Sequence, residues 1–583
     1  MLLALYTQNL DPFNSRIVST IVAALPVIVL FWLLVPWHKP APLAGAAGAM
    51  TALIVAVFGY GMAPAQAGLS FLYGAAFGLL PIGWTVMNAM LLYNVTVVTG
   101  QFAVIRRSVA GLSADARIQA ILVGFSFGAF LEGAAGAGTP VAICGAVLVG
   151  LGFDPIKAAV LCLIANTSPV AYGGLGVPLI TLGGVTDIPI ETLSVMAGRQ
   201  LPFLSVLIPL WMVRCMCDWR RTLEVWPALL VAGGSFAVFQ FFFAASHLYV
   251  KGLVLYPMTD VGGGFFSLVV TGAFLRLWQP KHLMTFHPPA AIAEAEAKLP
   301  PLTIGTIAKA WAPFIIMSAL LMGSGLVRQR EARAKDEGPL TVGPVQTNYM
   351  IPVDGLHQQV ERAVELRDPT KSDHREKAEF NFAWVTAPGS PVCAAALISM
   401  LFLRMSPRHI WKVIKITLWQ MRIPIPTIGF MLGLSYVTRY SGMDATLGVA
   451  FAQTGLLYPF FAALLGWLGV FLTGTDAGSN ALFGSLQKIT ATRVHSDGAF
   501  THLGLDQAQV LICTANSTGG VMGKMIDAQS ICVATAATDQ VGREADIFKA
   551  VVWHSIVLAS IVGALTLAQA YLPPLTNMVP RYR

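Results

Sequence analysis

A carboxylate set between an apolar run and a string of glycines is chemically conspicuous, because an unpaired carboxylate away from water costs several kcal/mol. Glu132 is such a residue, in Phe130-Leu131-Glu132-Gly133-Ala-Ala-Gly136-Ala-Gly138-Thr139-Pro140. It suits a group that takes up and releases a proton, or one that pins a break through backbone N–H groups. A second run, Phe471-Leu472-Thr473-Gly474-Thr475-Asp476-Ala-Gly478-Ser479-Asn480, carries Asp476 three residues out of step with Glu132 when Gly133 is set against Gly474. Ser479 and Asn480 add a hydroxyl and an amide. Asp476 also reads as a helix N-cap. Each run is followed by Gly-x-Asp (Gly152 to Asp154, Gly504 to Asp506) and then by neutral donors and acceptors, Asn166-Thr167-Ser168 and Asn516-Ser517-Thr518. With half-helix N-termini, such groups hold a carboxylate and a hydroxyl without a fixed counter-charge; the plainer reading is hydrogen-bonding between helices. Lys524 offers a lone cation for an anionic solute or for Asp476, unless it reaches to the interface. His554 is a packing residue or a proton relay.

The elements that must position these residues are membrane spans. Of 583 residues, 56% are hydrophobic and 11% charged, and mean hydropathy is +0.68, against about 25% charged residues in a soluble domain. Apolar stretches at 17–37, 43–61, 70–98, 225–245, 385–403 and 551–571 reach the length that crosses a bilayer. Positive charges in short loops favour the cytoplasm, which puts His38, Lys39, Arg106, Arg107, Arg117, Arg214, Arg220, Arg221, Arg276, Lys281, Arg404, Arg408, Lys412, Lys415, Arg543 and Lys549 inside and the N-terminus outside. On that threading the corresponding spans of the two halves run antiparallel. Duplicated, glycine-broken segments that bear carboxylates point to a transporter binding site. The expected fold is therefore an all-α polytopic membrane protein of two inverted repeats with broken or re-entrant helices, about 12–14 transmembrane segments in all. The first unit covers 10–221, linker spans and a cytoplasmic loop cover 222–304, and the second unit covers 305–572.

Residues 328–379 hold nine Lys/Arg and ten Asp/Glu. A segment at 328–383 therefore reads as an extracytoplasmic charged loop, with Leu356 to Val364 able to form a short amphipathic helix. The net charge of +8 comes from basic residues scattered at the ends of spans and not from a patch, so no nucleic-acid partner is expected. Met1 to Phe13 lacks the basic start of a cleaved signal peptide. Seven cysteines with poor ligand spacing point to buried thiols, with no metal and no cofactor. No zinc-protease, nucleophile-elbow or P-loop motif is present, which argues against an enzyme. The pattern carries no oligomer signature.

Phe127-Gly-Ala-Phe-Leu-Glu132-Gly-Ala-Ala-Gly136, Leu148 to Phe153, Gly198-Arg199-Gln-Leu-Pro-Phe203 and Gly466-Trp-Leu-Gly-Val-Phe-Leu-Thr-Gly474 together resemble the L-lactate permease family. So do Trp226-Pro-Ala, Val231 to Phe236, Gly523-Lys524-Met525 and Phe380-Asn-Phe-Ala-Trp384. The resemblance implies a bacterial inner-membrane carrier that imports L-lactate, D-lactate, glycolate and similar 2-hydroxymonocarboxylates with protons. Its partners would be the small monocarboxylate, the proton and the lipid bilayer. The chain departs from the family pattern at Ala137, Thr139, Gly478-Ser479 and Asp527-Ala528. A sodium-coupled carrier of another small organic anion is the alternative, since unwound carbonyls and Asn/Ser/Thr clusters also coordinate Na⁺.

Overall fold

Two long antiparallel helices, Ile190–Met216 and Glu544–Tyr571, set the frame of this computed structural model. They are joined by Gln200 Nε2 to Gln569 Oε1 (2.8 Å) near one end and by Trp211 Nε1 to His554 Nδ1 (3.2 Å) toward the other. The structure describes residues 5–582 apart from 35, 38, 137, 251–253, 287–301, 334–340, 343–344, 368–372, 388, 453, 499 and 501. Among the described residues, nine helices are long and apolar enough to cross a membrane. The bent pair Pro155–Ala165 and Val170–Thr186, turned by 65°, makes a tenth if it counts as one span. Shorter apolar helices, Pro140–Gly150 and Gly389–Phe402, add to these. The protein is a helical, multi-pass membrane protein.

Both glycine-broken runs fold as helical hairpins. In the first, a leg running from Ala116 through Ala135 reverses at Gly136 and Gly138 and returns as Thr139–Gly150. The legs touch where Gly128 meets Cys144 and Pro140. In the second, Tyr458–Thr473 reverses at Gly474 and returns as Asp476–Ser496. Here Ser479 Oγ donates to Gly466 O (2.9 Å) and Gln487 Nε2 to Ala462 O (2.9 Å). Turn glycines at φ +63°, +78° and +73° (Gly136, Gly138, Gly474) hold the left-handed backbone that reverses each chain, a conformation costly for any residue with a Cβ.

The mouths of the hairpins lie at opposite ends of the frame. Arg117, at the mouth of the first, donates to Arg221 O (2.5 Å) and His282 O (2.7 Å), just past the Met216 end. The second begins beside the far end of the other frame helix, where Tyr571 OH donates to Leu456 O (2.9 Å). Packing between the halves is reciprocal. The return leg of the second hairpin runs along Gly173–Thr186, through Asn480 Nδ2 to Pro178 O (3.1 Å), Ser485 Oγ to Val185 O (3.1 Å) and Lys488 Nζ to Thr186 O (2.6 Å). The return leg of the first runs along Ala528–Ala537, with Gly138 against Val533 and Gly145 against Thr538.

The charged segment differs from the expectation. Ile304–Arg333 stays helical to Arg333, and beyond it the described residues form short strands, with Tyr349–Pro352 antiparallel to Glu379–Phe382. The amphipathic helix expected over Leu356 to Val364 does not form. Gly355 (φ +85°) and Gln358 (φ +55°) turn the chain there, and Val360–Glu361 pairs in parallel with Tyr6–Thr7 of the N-terminal segment. Periodicity alone missed this because the strand's partner lies more than 350 residues away in sequence. A buried carboxylate fastens the segment to the membrane domain: Glu376 pairs with Arg362 and, at 3.3 Å, with Arg439 of the helix Pro424–Ser441. Burial alone would raise the Glu376 carboxyl, but the two guanidinium groups outweigh it and hold it below the usual carboxylate range. Its stabilising contribution is therefore complete above the unfolded-state range of roughly pH 4–5 and is lost as pH falls through the lower folded value. We expect the melting temperature of the detergent-solubilised protein to hold from neutral pH to about 5 and to drop below about 4. Glu376→Gln should cost roughly 1.5–3 kcal/mol at neutral pH and flatten that acid limb.

Candidate functional site

The tip of the first hairpin puts Glu132 on the last turn before the reversal, where its carbonyl accepts from Gly136 N (2.8 Å). Its side chain is buried against the break that follows Ala165. A Cβ added to Gly173 would lie 2.9 Å from Glu132 Oε1, so the bare glycine makes room for the carboxylate. Glu132 Oε2 has no hydrogen-bond partner among the described residues. It faces Asn166, whose Nδ2 and Oδ1 are also unpartnered, as is the buried Ser168 Oγ. Thr167 turns away and donates to Ile164 O (2.7 Å). Gly133 gives its open side to another helix, where a Cβ would come within 2.4 Å of Val261 N.

The tip of the second hairpin differs. Thr475, extended at φ −145° and ψ 146°, is the N-cap and accepts from Gly478 N at 2.9 Å. Asp476 lies one residue inside the helix and so does not serve as the cap. Its Oδ2 accepts from Ser517 Oγ (2.5 Å), while Oδ1 has no partner among the described residues. Lys524 ends the helix Leu505–Gly523. Its Nζ donates to Gly474 O (2.8 Å) and lies 3.3 Å from Asp527 Oδ2. Asp527 in turn caps Ala528–Ala537 by accepting from Ser530 N (2.8 Å). The Lys524 charge acts on both Glu132 and Asp476, which links the two hairpin tips electrostatically.

The Asn516 side chain, unlike that of Asn166, is closed into a network. It donates to Asn480 Oδ1 (2.9 Å) and Ser479 Oγ (3.3 Å) and accepts from Gln487 Nε2 (3.0 Å). Thr518 Oγ1 donates to Gln200 Oε1 (2.6 Å) on a frame helix. The sequence pairing of the two asparagines thus conceals a difference. One holds hairpin 2 to its neighbour, and the other keeps its donors and acceptor open.

Two residues, Asp260 and Gln529, escaped the sequence reading, and a third, Asp527, entered it only as a departure from the family pattern. Asp260 is buried beside Gly133, and Glu132 acts on it. It stands at the start of an apolar span, so the rule that singled out Glu132 would have found it. Asp527 and Gln529 follow Lys524 closely, and Gln529 is buried with both amide atoms unpartnered among the described residues. His554 is engaged by Trp211 and approached by Cys215 Sγ (3.7 Å), a packing role between the frame helices. No group of three or more His, Cys, Asp or Glu among the described residues could hold a metal.

Three carboxylates, Glu132, Asp476 and Asp527, are therefore linked through a single ammonium, Lys524, and a fourth, Asp260, is coupled to them through Glu132. Around them Thr139–Gly150, Asp476–Ser496 and Ala528–Ala537 all start at the breaks, turning the positive ends of their dipoles inward. Such a set can bind a small anion and exchange protons with it.

A sequence model of the L-lactate permease family matches residues 19–573. Glycolate permease GlcA of Escherichia coli K12 is 42% identical over 576 residues, 97% of this chain and 98% of that protein. L-lactate permease of Bacillus subtilis 168 is 41% identical over 579 residues, with 97% and 98% covered. L-lactate permease of Escherichia coli K12 is 39% identical over 580 residues, with 99% and 100% covered.

Truncating the two asparagines should separate structure from binding. Asn516→Ala leaves Gln487 and Asn480 without partners and should destabilise the protein by about 1–3 kcal/mol. Asn166→Ala removes no hydrogen bond and should leave the thermal unfolding midpoint in detergent nearly unchanged.

Proposed function

Because this chain belongs to the L-lactate permease family, carriers and not enzymes, we propose that it imports small 2-hydroxymonocarboxylates, L-lactate, D-lactate and glycolate among them, by proton symport across the bacterial inner membrane. The names of its relatives support the substrate class. The observation that carries the coupling is the surplus of buried carboxylates over cations at the hairpin tips. An anionic substrate adds another negative charge to that site, and charge buried without a partner is strongly disfavoured. A proton arriving with the anion removes the conflict, and Glu132, open at Oε2 and facing Asn166, is the group we assign to carry it.

Substrate recognition follows from the same groups. Asn166 and Ser168 offer donors and acceptors for the carboxylate and the 2-hydroxyl, while Lys524 and the helix N-termini supply positive potential. Asp476, tied to Ser517, is the second proton-coupling candidate, and Ser479, Asn480, Asn516, Ser517 and Thr518 brace the second tip. The two hairpins, opening at opposite ends of the frame and packing reciprocally, support a pair of inverted units that alternate access to one central site. Under positive-inside orientation the first hairpin opens to the cytoplasm.

In sodium-free proteoliposomes, an outside-acid pH jump should drive accumulation of labelled lactate. Glu132→Gln should abolish that accumulation while retaining some substrate binding, since the amide keeps the shape but cannot titrate. Asn166→Ala should weaken lactate binding by about 1–3 kcal/mol. An unchanged pH dependence in the Gln variant would remove Glu132 from the coupling path. Single cysteines at Leu151 and Ser496, in a background without native cysteines, should react with an impermeant thiol reagent from opposite faces; labelling from one face would rule out inverted units.

A further inference from the structure

Asp260 belongs to neither hairpin nor broken helix. It is the second residue of Thr259–Leu277, fully buried, and neither carboxylate oxygen has a hydrogen-bond partner among the described residues. An orphaned carboxylate at membrane depth is costly and marks function. It stands beside Glu132. A Cβ added to Gly133 would lie 2.8 Å from Asp260 Cβ, and one added to Gly264, a turn further on, 2.3 Å from Phe130 N, so the linker helix and the hairpin leg touch backbone to backbone. Both carboxylates converge on one step of the break: Glu132 Oε1 lies against Gly173, and Asp260 faces the Tyr172 backbone.

No cation acts on Asp260 among the described residues. The titratable groups facing it are Glu132 from the hairpin and Tyr172 from the break. The packed segments Ile121–Phe127, Gly173–Thr186 and Trp226–Ala244 contain no ionisable side chain; the last contributes Gln240, whose Oε1 accepts from Ser205 Oγ (2.8 Å) and whose amide is the neutral donor that faces Asp260. Two neighbouring buried carboxylates with no cation between them cannot both carry charge cheaply, so the pair favours sharing a proton. The far end of Thr259–Leu277 lies with the first hairpin's mouth, where Gln279 Nε2 donates to Leu112 O (3.3 Å), so Asp260 lies toward the end of its helix away from that mouth, the outer end under the positive-inside orientation.

We propose that Asp260 is the proton-sharing partner of Glu132 and relays protons to it from the outer face. In this step the Asp260 carboxyl gives its proton to the Glu132 carboxylate, and Asp260, now a carboxylate, is reprotonated from outside. The inference rests on the proton-symport reading and adds a role for the linker helix, which lies outside both units.

The test compares two lactate assays in proteoliposomes: exchange of labelled for unlabelled lactate, which moves no net proton, and accumulation driven by a pH jump. Asp260→Asn should retain measurable exchange while accumulation falls by about tenfold or more, and Asp260→Glu should restore accumulation with its pH midpoint displaced by roughly one unit. Wild-type accumulation and midpoint in the Asn variant would overturn the proposal, and so would loss of exchange and accumulation together in a variant that elutes and melts like wild type. If the Asn variant fails to fold, the Glu variant decides: a displaced midpoint supports the relay, an unchanged one removes it. A wild-type protein that exchanges lactate but ignores the pH jump would instead overturn the symport reading, whatever the variants do.

Discussion

Everything in this molecule turns on negative charge held where water is scarce. Glu132, Asp260, Asp476 and Asp527 are buried; Lys524 is the cation that acts on Glu132, Asp476 and Asp527, and Asp260 is coupled to them through Glu132. Lys524 is already committed to Gly474 O and Asp527, so it neutralises at most one of the four. Charges left over at membrane depth have to be relieved by protons or by structural change. That instability is what a coupled carrier needs. On the proposed symport reading, binding an anion and binding a proton become one event, because each makes the other less costly.

The fold keeps this arrangement in place with short-range devices. Left-handed glycines reverse the hairpins, and Thr475, Asp154 and Asp527 cap the helices that start near the breaks. Side chains donate to backbone carbonyls across the halves, as Asn480 does to Pro178 and Lys488 to Thr186. Irregular backbone survives at this depth only because neighbouring protein satisfies it. The short strands add a clasp: Tyr6 pairs with Val360, and Glu376 reaches Arg439 in the membrane domain. Movement of Pro424–Ser441 would therefore be felt in the extramembrane segment.

Much of this was legible in the residues. The two glycine-broken runs, their carboxylates and the trailing asparagines marked the candidate site because such residues have few uses inside apolar spans. Charge placement in the loops also set Arg117 and Arg221 on one side, and the structure joins them through Arg117 to the Arg221 carbonyl. What stayed hidden depends on long-range packing. Asn166 and Asn516 look alike in sequence, yet only the second meets Gln487, Asn480 and Ser479. Asp260 sits in a span with no repeat counterpart, so a search for duplicated motifs passed over it. The strand at Val360 needed Tyr6, and no local periodicity reports a partner from the other end of the chain.

The central claim, that an anion and a proton enter the buried site together, is tested most directly by measuring both fluxes at once. Purified protein in tightly sealed proteoliposomes, with a trapped pH indicator and labelled lactate, gives the two initial rates in one sample without sodium. The account predicts internal acidification that tracks lactate entry in equal numbers and disappears when the gradient is collapsed by a protonophore. Lactate entry without proton movement would contradict it.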